Sequence, residues 1–94
     1  MGKASRDKGN RTERAIAKRL NGIRIPLSGA TDYAKGDIEA YNMTFEVKAR
    51  ANGFKQIYGW IDKEDADALI IKADRKEPLV VLPIDEFKKI MEGE

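Results

Sequence analysis

The sequence predicts a single small α/β domain with a mixed central β-sheet flanked by helices, and three observations lead there. Segments with helical apolar spacing and short runs of strand length follow one another in the order α-β-β-β-α-β-β-α. The 94 residues suffice for one modest core, since a chain of this size buries roughly 60–68% of its unfolded surface. The balance of 41% hydrophobic and 36% charged residues is that of a soluble globular chain.

The elements follow in order. "MGKASRDKGN" is polar and basic, and residues 1–9 read as a flexible arm ahead of a domain that spans 1–94. A helix is expected from about Arg11 to Asn21, with Asn10 as N-cap, an apolar stripe of Ile16, Ala17 and Leu20, and a stop at Gly22. "IRIPLS" reads as a short strand at a sheet edge, where Pro26 is tolerated. "SGATDYAKG" is a loop. "DIEAY" and "TFEVKAR" read as two strands of a hairpin turning at Asn42-Met43. In "FKQIYGWI", Phe54, Ile57, Tyr58 and Ile61 have the spacing of a short amphipathic helix despite Gly59. "DALIIKA" and "PLVVLPI" are strands joined by a turn at "DRKE". "IDEFKKIMEG" closes the chain as a helix with a stripe of Ile84, Phe87, Ile90 and Met91.

Composition removes whole classes of chemistry. The chain has no cysteine, which excludes disulfides and thiolate metal sites and makes an intracellular, cytoplasmic location the expectation. It has no histidine, which excludes a Ser-His-Asp triad, a histidine general base and histidine-ligated zinc. Its apolar runs fall far short of the ~20 residues of a membrane span, and no apolar segment of a signal peptide follows the basic N-terminus. Hydrolytic chemistry here would fall to carboxylates, lysine and a hard metal ion.

The net charge of +2 conceals an asymmetry. Up to Arg24 the chain carries Lys3, Arg6, Lys8, Arg11, Arg14, Lys18, Arg19 and Arg24 against only Asp7 and Glu13, and the remainder is net acidic. A concentrated positive segment on a nearly neutral chain points to a polyanion such as nucleic acid, although basic arms also serve as plain solvated tails.

The hairpin gathers charge on one face. Strand alternation turns Ile38 and Ala40 one way and Asp37, Glu39 and Tyr41 the other. On the next strand Phe45, Val47 and Ala49 face the core while Glu46, Lys48 and Arg50 oppose them. A turn at Asn42-Met43 sets Glu39 opposite Glu46 and Asp37 opposite Lys48. One reading is a solvated face with an Asp37–Lys48 salt bridge worth no more than ~1 kcal/mol. It leaves the opposed glutamates unexplained, because like charges directly across a ladder destabilise it. The other reading is a Mg²⁺ site, since that ion takes one or two carboxylates together with waters and substrate phosphate. By spacing alone the two stand side by side.

Glu13 likewise admits two roles. "NRTE" has capping-box spacing, which would turn Glu13 back to the cap at Asn10. Glu13 also precedes the Ile16 stripe by one turn, which would aim it over the sheet toward the hairpin acids.

Glu13 on the first helix, "GD" at Gly36-Asp37 and "EVK" at Glu46–Lys48 together resemble the PD-(D/E)xK nuclease superfamily. The likeness is greatest to the small archaeal- and phage-type Holliday junction resolvases: a basic segment, the helix "RTERAIAKRL", the loop region "PLSGATDYAKGDIEA", the strand "FEVKAR" and the ending "DALIIKADRKEPLVVLPIDEF". It extends from about Lys8 to Met91. The chain departs from the pattern in having Gly36 where the superfamily nominally has proline, in a very short hairpin, and in a compact stretch after "EVKAR".

The resemblance implies a restriction-endonuclease-like fold and a Mg²⁺-dependent structure-selective endonuclease, with Mn²⁺ able to substitute, that cuts branched double-stranded DNA at four-way junctions as a homodimer. It assigns Asp37 and Glu46 as metal ligands with the Val47 carbonyl as a third. Lys48 would orient or deprotonate the attacking water or stabilise developing charge, and Glu13 would complete the site. Ser28 matches a serine near the scissile phosphate, or is simply part of a Ser-Gly turn. Glu39 has no counterpart beyond outer support. Lys3, Arg6, Lys8, Arg11, Arg14, Lys35 and Arg50, with Ser28, would contact DNA. Exposed apolar residues around Trp60 or Phe54 are candidates for the dimer surface. Two alternatives remain: a nuclease of the same fold that nicks other branched or flap DNA, and a basic DNA-binding module without catalysis.

Overall fold

The structure is a computed structural model that describes residues 3–25 and 36–93, with side chains from Lys8 onward. The order of elements is the predicted one: α1 (Lys3–Arg19), β1 (Ile23–Arg24), β2 (Ile38–Ala40), β3 (Met43–Phe45), α2 (Lys55–Glu64), β4 (Leu69–Ile71), β5 (Leu79–Val81) and α3 (Ile84–Glu92). Where one mixed sheet is predicted, the described strands pair only antiparallel, as a three-stranded sheet β1-β2-β3 and a hairpin β4-β5. The short β2–β3 and β4–β5 links require antiparallel pairing in those two hairpins, because a parallel pair needs a crossover of a dozen or more residues. The chain also divides into two compact units, Met1–Ala49 and Arg50–Glu94.

In the first unit, α1 begins at Lys3, so most of the expected arm is helical and Asn10 and Glu13 lie in the helix interior. The Asn10 capping box is therefore not formed. Asn10 is a good N-cap type and so suggests a start, but the flanking Lys, Arg and Ala are strong helix formers that carry the helix through it. Thr12 donates its Oγ1 hydroxyl to the Lys8 carbonyl at 2.9 Å, the back-bond of a mid-helix threonine. At the C-terminus Asn21 takes the left-handed conformation (φ 56°), the Asn21 N–H reaches the Lys18 carbonyl, and the Gly22 N–H reaches the Ala17 carbonyl at 2.8 Å. Gly22 is needed for a different reason: a Cβ there would stand 2.5 Å from the Glu39 carbonyl oxygen and 2.8 Å from the Ala40 Cβ. This contact brings α1 down onto β2. Ala17 and Leu20 on the helix and Ile38 and Ala40 on the strand are the buried core.

The hairpin turns at Tyr41-Asn42, both at positive φ (55° and 60°), as a two-residue turn whose twist suits the strands. This is one residue earlier than predicted. It pairs Ala40 with Met43, Glu39 with Thr44 and Ile38 with Phe45. The opposition of Glu39 to Glu46 is thus corrected: Glu39 faces a threonine. Moving the turn by one residue shifts the partner of each residue by two, so the inward and outward faces survive.

In the second unit, α2 ends at Asp65 in the left-handed conformation, its N–H directed to the Ile61 and Asp62 carbonyls. α3 opens with Asp85 and Glu86 in its first turn and carries Lys89 in its last, in keeping with the helix dipole. Ile90 and Met91 of the predicted α3 stripe are exposed. No described helix is long and apolar enough to cross a membrane.

Candidate active site

Asp37 sits where the β2–β3 ladder ends. Its carbonyl accepts the Ile25 N–H at 2.9 Å from one side, and its N–H donates to the Phe45 carbonyl at 2.7 Å on the other. Phe45 is already the register partner of Ile38, so Asp37 is an extra residue at the ladder's end, in the manner of a bulge. Its carboxylate Oδ2 then accepts the Val47 N–H at 2.7 Å. The side chain takes the place of the next backbone rung. Accordingly Glu46, Val47 and Lys48 lie beyond β3, whereas the sequence predicts a strand through Arg50.

Gly36 precedes this residue at φ 87°, with its would-be Cβ 3.1 Å from the Phe45 carbonyl oxygen. Proline, fixed near φ −65°, is incompatible with that backbone, which accounts for glycine at the position.

Glu46 and Lys48 form an ion pair at 3.3 Å, with both side chains more than half exposed. Lys48 therefore pairs with Glu46, where the expected register sets it opposite Asp37. The amine is at the surface and two residues along from the carboxylate it meets.

Glu13 on α1 meets Arg24 of β1, in place of the cap at Asn10 or the hairpin acids that its two readings name. The Arg24 Nη2 donates to Glu13 Oε1 at 2.9 Å and to Asn10 Oδ1 at 3.1 Å, and its Nε donates to the same Glu13 oxygen at 3.3 Å. The Glu13 side chain is 19% exposed, so the pair is largely screened from water. Sequence reasoning missed Arg24 as the partner of Glu13, and as that of Asn10. The available signal was a lone arginine among the apolar residues of "IRIP", on the strand paired with Ile38.

Among the described residues no three acidic side chains converge to hold a metal ion. The hydrogen bond to Val47 nonetheless brings Asp37 to the segment that carries Glu46, and the hard oxygens of Asp37, Glu46 and the Val47 carbonyl have the chemistry of a cation that takes one or two carboxylates and completes its shell with water. Glu13 does not join them, since its carboxylate is bound to Arg24.

Lys8, Arg11, Arg14, Lys18 and Arg19 are all exposed on α1. Glu39 is exposed, and Arg50 opens the second unit on its surface. Lys3 and Arg6 lie on the α1 backbone, their side chains outside the described residues, as are Ser28 and Lys35 entirely. Comparison with protein-family models, curated proteins and solved structures finds no match for this chain.

Proposed function

We propose that this chain is a divalent-metal-dependent endodeoxyribonuclease of the PD-(D/E)xK kind, acting as a homodimer on branched DNA, with four-way junctions as its leading substrate. The reading carries with it a restriction-endonuclease-like fold. The observation that supports it best is the 2.7 Å hydrogen bond from the Val47 N–H to the Asp37 carboxylate, which holds the "GD" acid against the "EVK" segment.

Asp37, Glu46 and the Val47 carbonyl would hold the ion. When bound, a hard divalent cation lowers the pKa of water and neutralises charge that builds on phosphoryl oxygens. The chain's own groups do the rest. The Val47 N–H fixes the Asp37 carboxylate through Oδ2. Lys48, ion-paired with the proposed ligand Glu46, would orient water and stabilise charge on the phosphate. Glu13 acts at one remove, by fixing Arg24 and through it the strand beside Ile38. The exposed cations of α1 would contact phosphates without reading sequence, making affinity steeply dependent on salt.

The decisive experiment is incision of an end-labelled four-way junction, compared with flap, duplex and single-stranded DNA, with Mg²⁺ or Mn²⁺ added or withheld. Metal-dependent cuts in the junction, lost in Asp37→Asn and Lys48→Ala, are expected. Binding without incision under either metal would identify a non-catalytic DNA-binding module. Preference for the flap would move the substrate and keep the chemistry.

A further inference from the structure

The second unit contains an open groove of about 770 Å³ between α2 and the β4–β5 hairpin. All of its lining residues fall between Gly53 and Leu79, within that unit. One wall is the face of α2 that carries Gln56 and Trp60, one turn apart. The other is the hairpin turn, which contributes Lys72, Arg75 and Lys76. Glu77 is the one acid on the lining.

Several features distinguish these walls from an ordinary charged surface. Trp60 is the chain's single tryptophan and is 45% exposed. The Lys76 N–H closes the turn on the Ala73 carbonyl at 3.2 Å, and Arg75 sits in it at φ 62°, a left-handed conformation uncommon for arginine. Among the described residues neither Arg75 nor Lys76 forms an ion pair. Lys72 reaches only the neighbouring Ala73 carbonyl, at 3.3 Å. A half-exposed indole therefore faces uncommitted cations across a groove of ligand size.

We propose that this groove binds an unpaired stretch of DNA. A base would lie on the Trp60 indole with the Gln56 amide at its edge, and successive phosphates would run past Lys72, Arg75 and Lys76. The chemistry is that of single-strand binding: an aromatic platform that accepts any base, beside a positive track for the backbone. Three cations spread around a turn suit a line of phosphates better than one. The choice of DNA rests on the nuclease reading, while the groove's geometry does not.

The lone tryptophan makes the test direct. The full chain in EDTA, where cleavage cannot confuse binding, is titrated with oligo(dT) of about ten nucleotides while Trp60 fluorescence is followed. Saturable quenching is expected, with a midpoint that rises with salt. The double variant Arg75→Ala/Lys76→Ala should weaken binding on the order of tenfold and flatten the logarithmic salt slope by about 1.4, at ~0.7 per lost phosphate contact. With a labelled oligonucleotide followed by anisotropy, Trp60→Phe should bind within a few-fold of the parent and Trp60→Ala on the order of tenfold more weakly.

Four results would overturn the proposal: fluorescence that does not move while the labelled strand binds, an unaltered affinity in the double variant, equal quenching by dTMP, or tighter quenching by oligo(rU). Quenching as expected alongside a junction that is never cut would remove the nuclease reading and leave the groove standing.

Discussion

The Asp37 carboxylate accepts the Val47 backbone N–H at 2.7 Å, so one side chain both ends the β2–β3 ladder and anchors the segment after it. Structure and proposed chemistry meet in the same group, and substitutions can separate them. Asp37→Asn keeps an oxygen for the Val47 N–H, and Asp37→Ala does not. Urea unfolding should show Asn near the parent and Ala less stable by about 1–3 kcal/mol, the cost of a part-buried donor left without a partner. Both should be inactive in the incision assay. Equal stability of the two would mean the hydrogen bond contributes little.

Lys48 offers the opposite test. Its ion pair with Glu46 is exposed on both sides, so Lys48→Ala should change stability by less than about 0.5 kcal/mol. Junction cleavage should fall to background in the same preparation. An active Lys48→Ala protein would leave the lysine as a surface charge and nothing more.

Glu13 and Arg24 should behave as a unit. The bond is charge-assisted and largely screened from water, so a double-mutant cycle with Glu13→Gln and Arg24→Met should return a coupling of about 1 kcal/mol or more in chemical denaturation. Additive single effects would show that the contact is not maintained in solution.

The glycines divide by what surrounds them. A Cβ at Gly9 or Gly59 meets nothing within 4 Å, and both lie inside helices, so alanine at each should stabilise by about 0.5–1 kcal/mol. Gly22→Ala must displace a strand carbonyl, and Gly36→Ala would hold a side chain at φ 87°, so each should destabilise by about 1–3 kcal/mol. Thermal or urea unfolding of the four variants should sort them into these two pairs.

What the sequence makes legible follows the range of the forces involved. The order of elements, the helical stripe of Ala17 and Leu20 and the inward face of Ile38 and Ala40 come from local periodicity, and each is found. The hairpin register depends on which residues accept positive φ. Tyrosine gives little sign of that, and so Tyr41-Asn42 displaces the expected Asn42-Met43. The start of α1 was hidden because Asn10 resembles a boundary, while the residues around it favour helix. At the candidate site the proximity of Asp37 to the "EVK" segment was readable, and its form was not: alternation cannot foresee a carboxylate replacing a backbone rung. Arg24 as the partner of Glu13 required knowing how α1 lies on β1.

The early start of α1 has one more consequence. The cations from Lys8 to Arg19 already stand on a folded rod before any polyanion arrives. A tail that had to coil on contact would surrender backbone freedom and bury fresh surface, leaving a large negative heat-capacity change in calorimetry. A preformed helix meets its partner as one rigid body meets another, and the association should be nearly free of that signature.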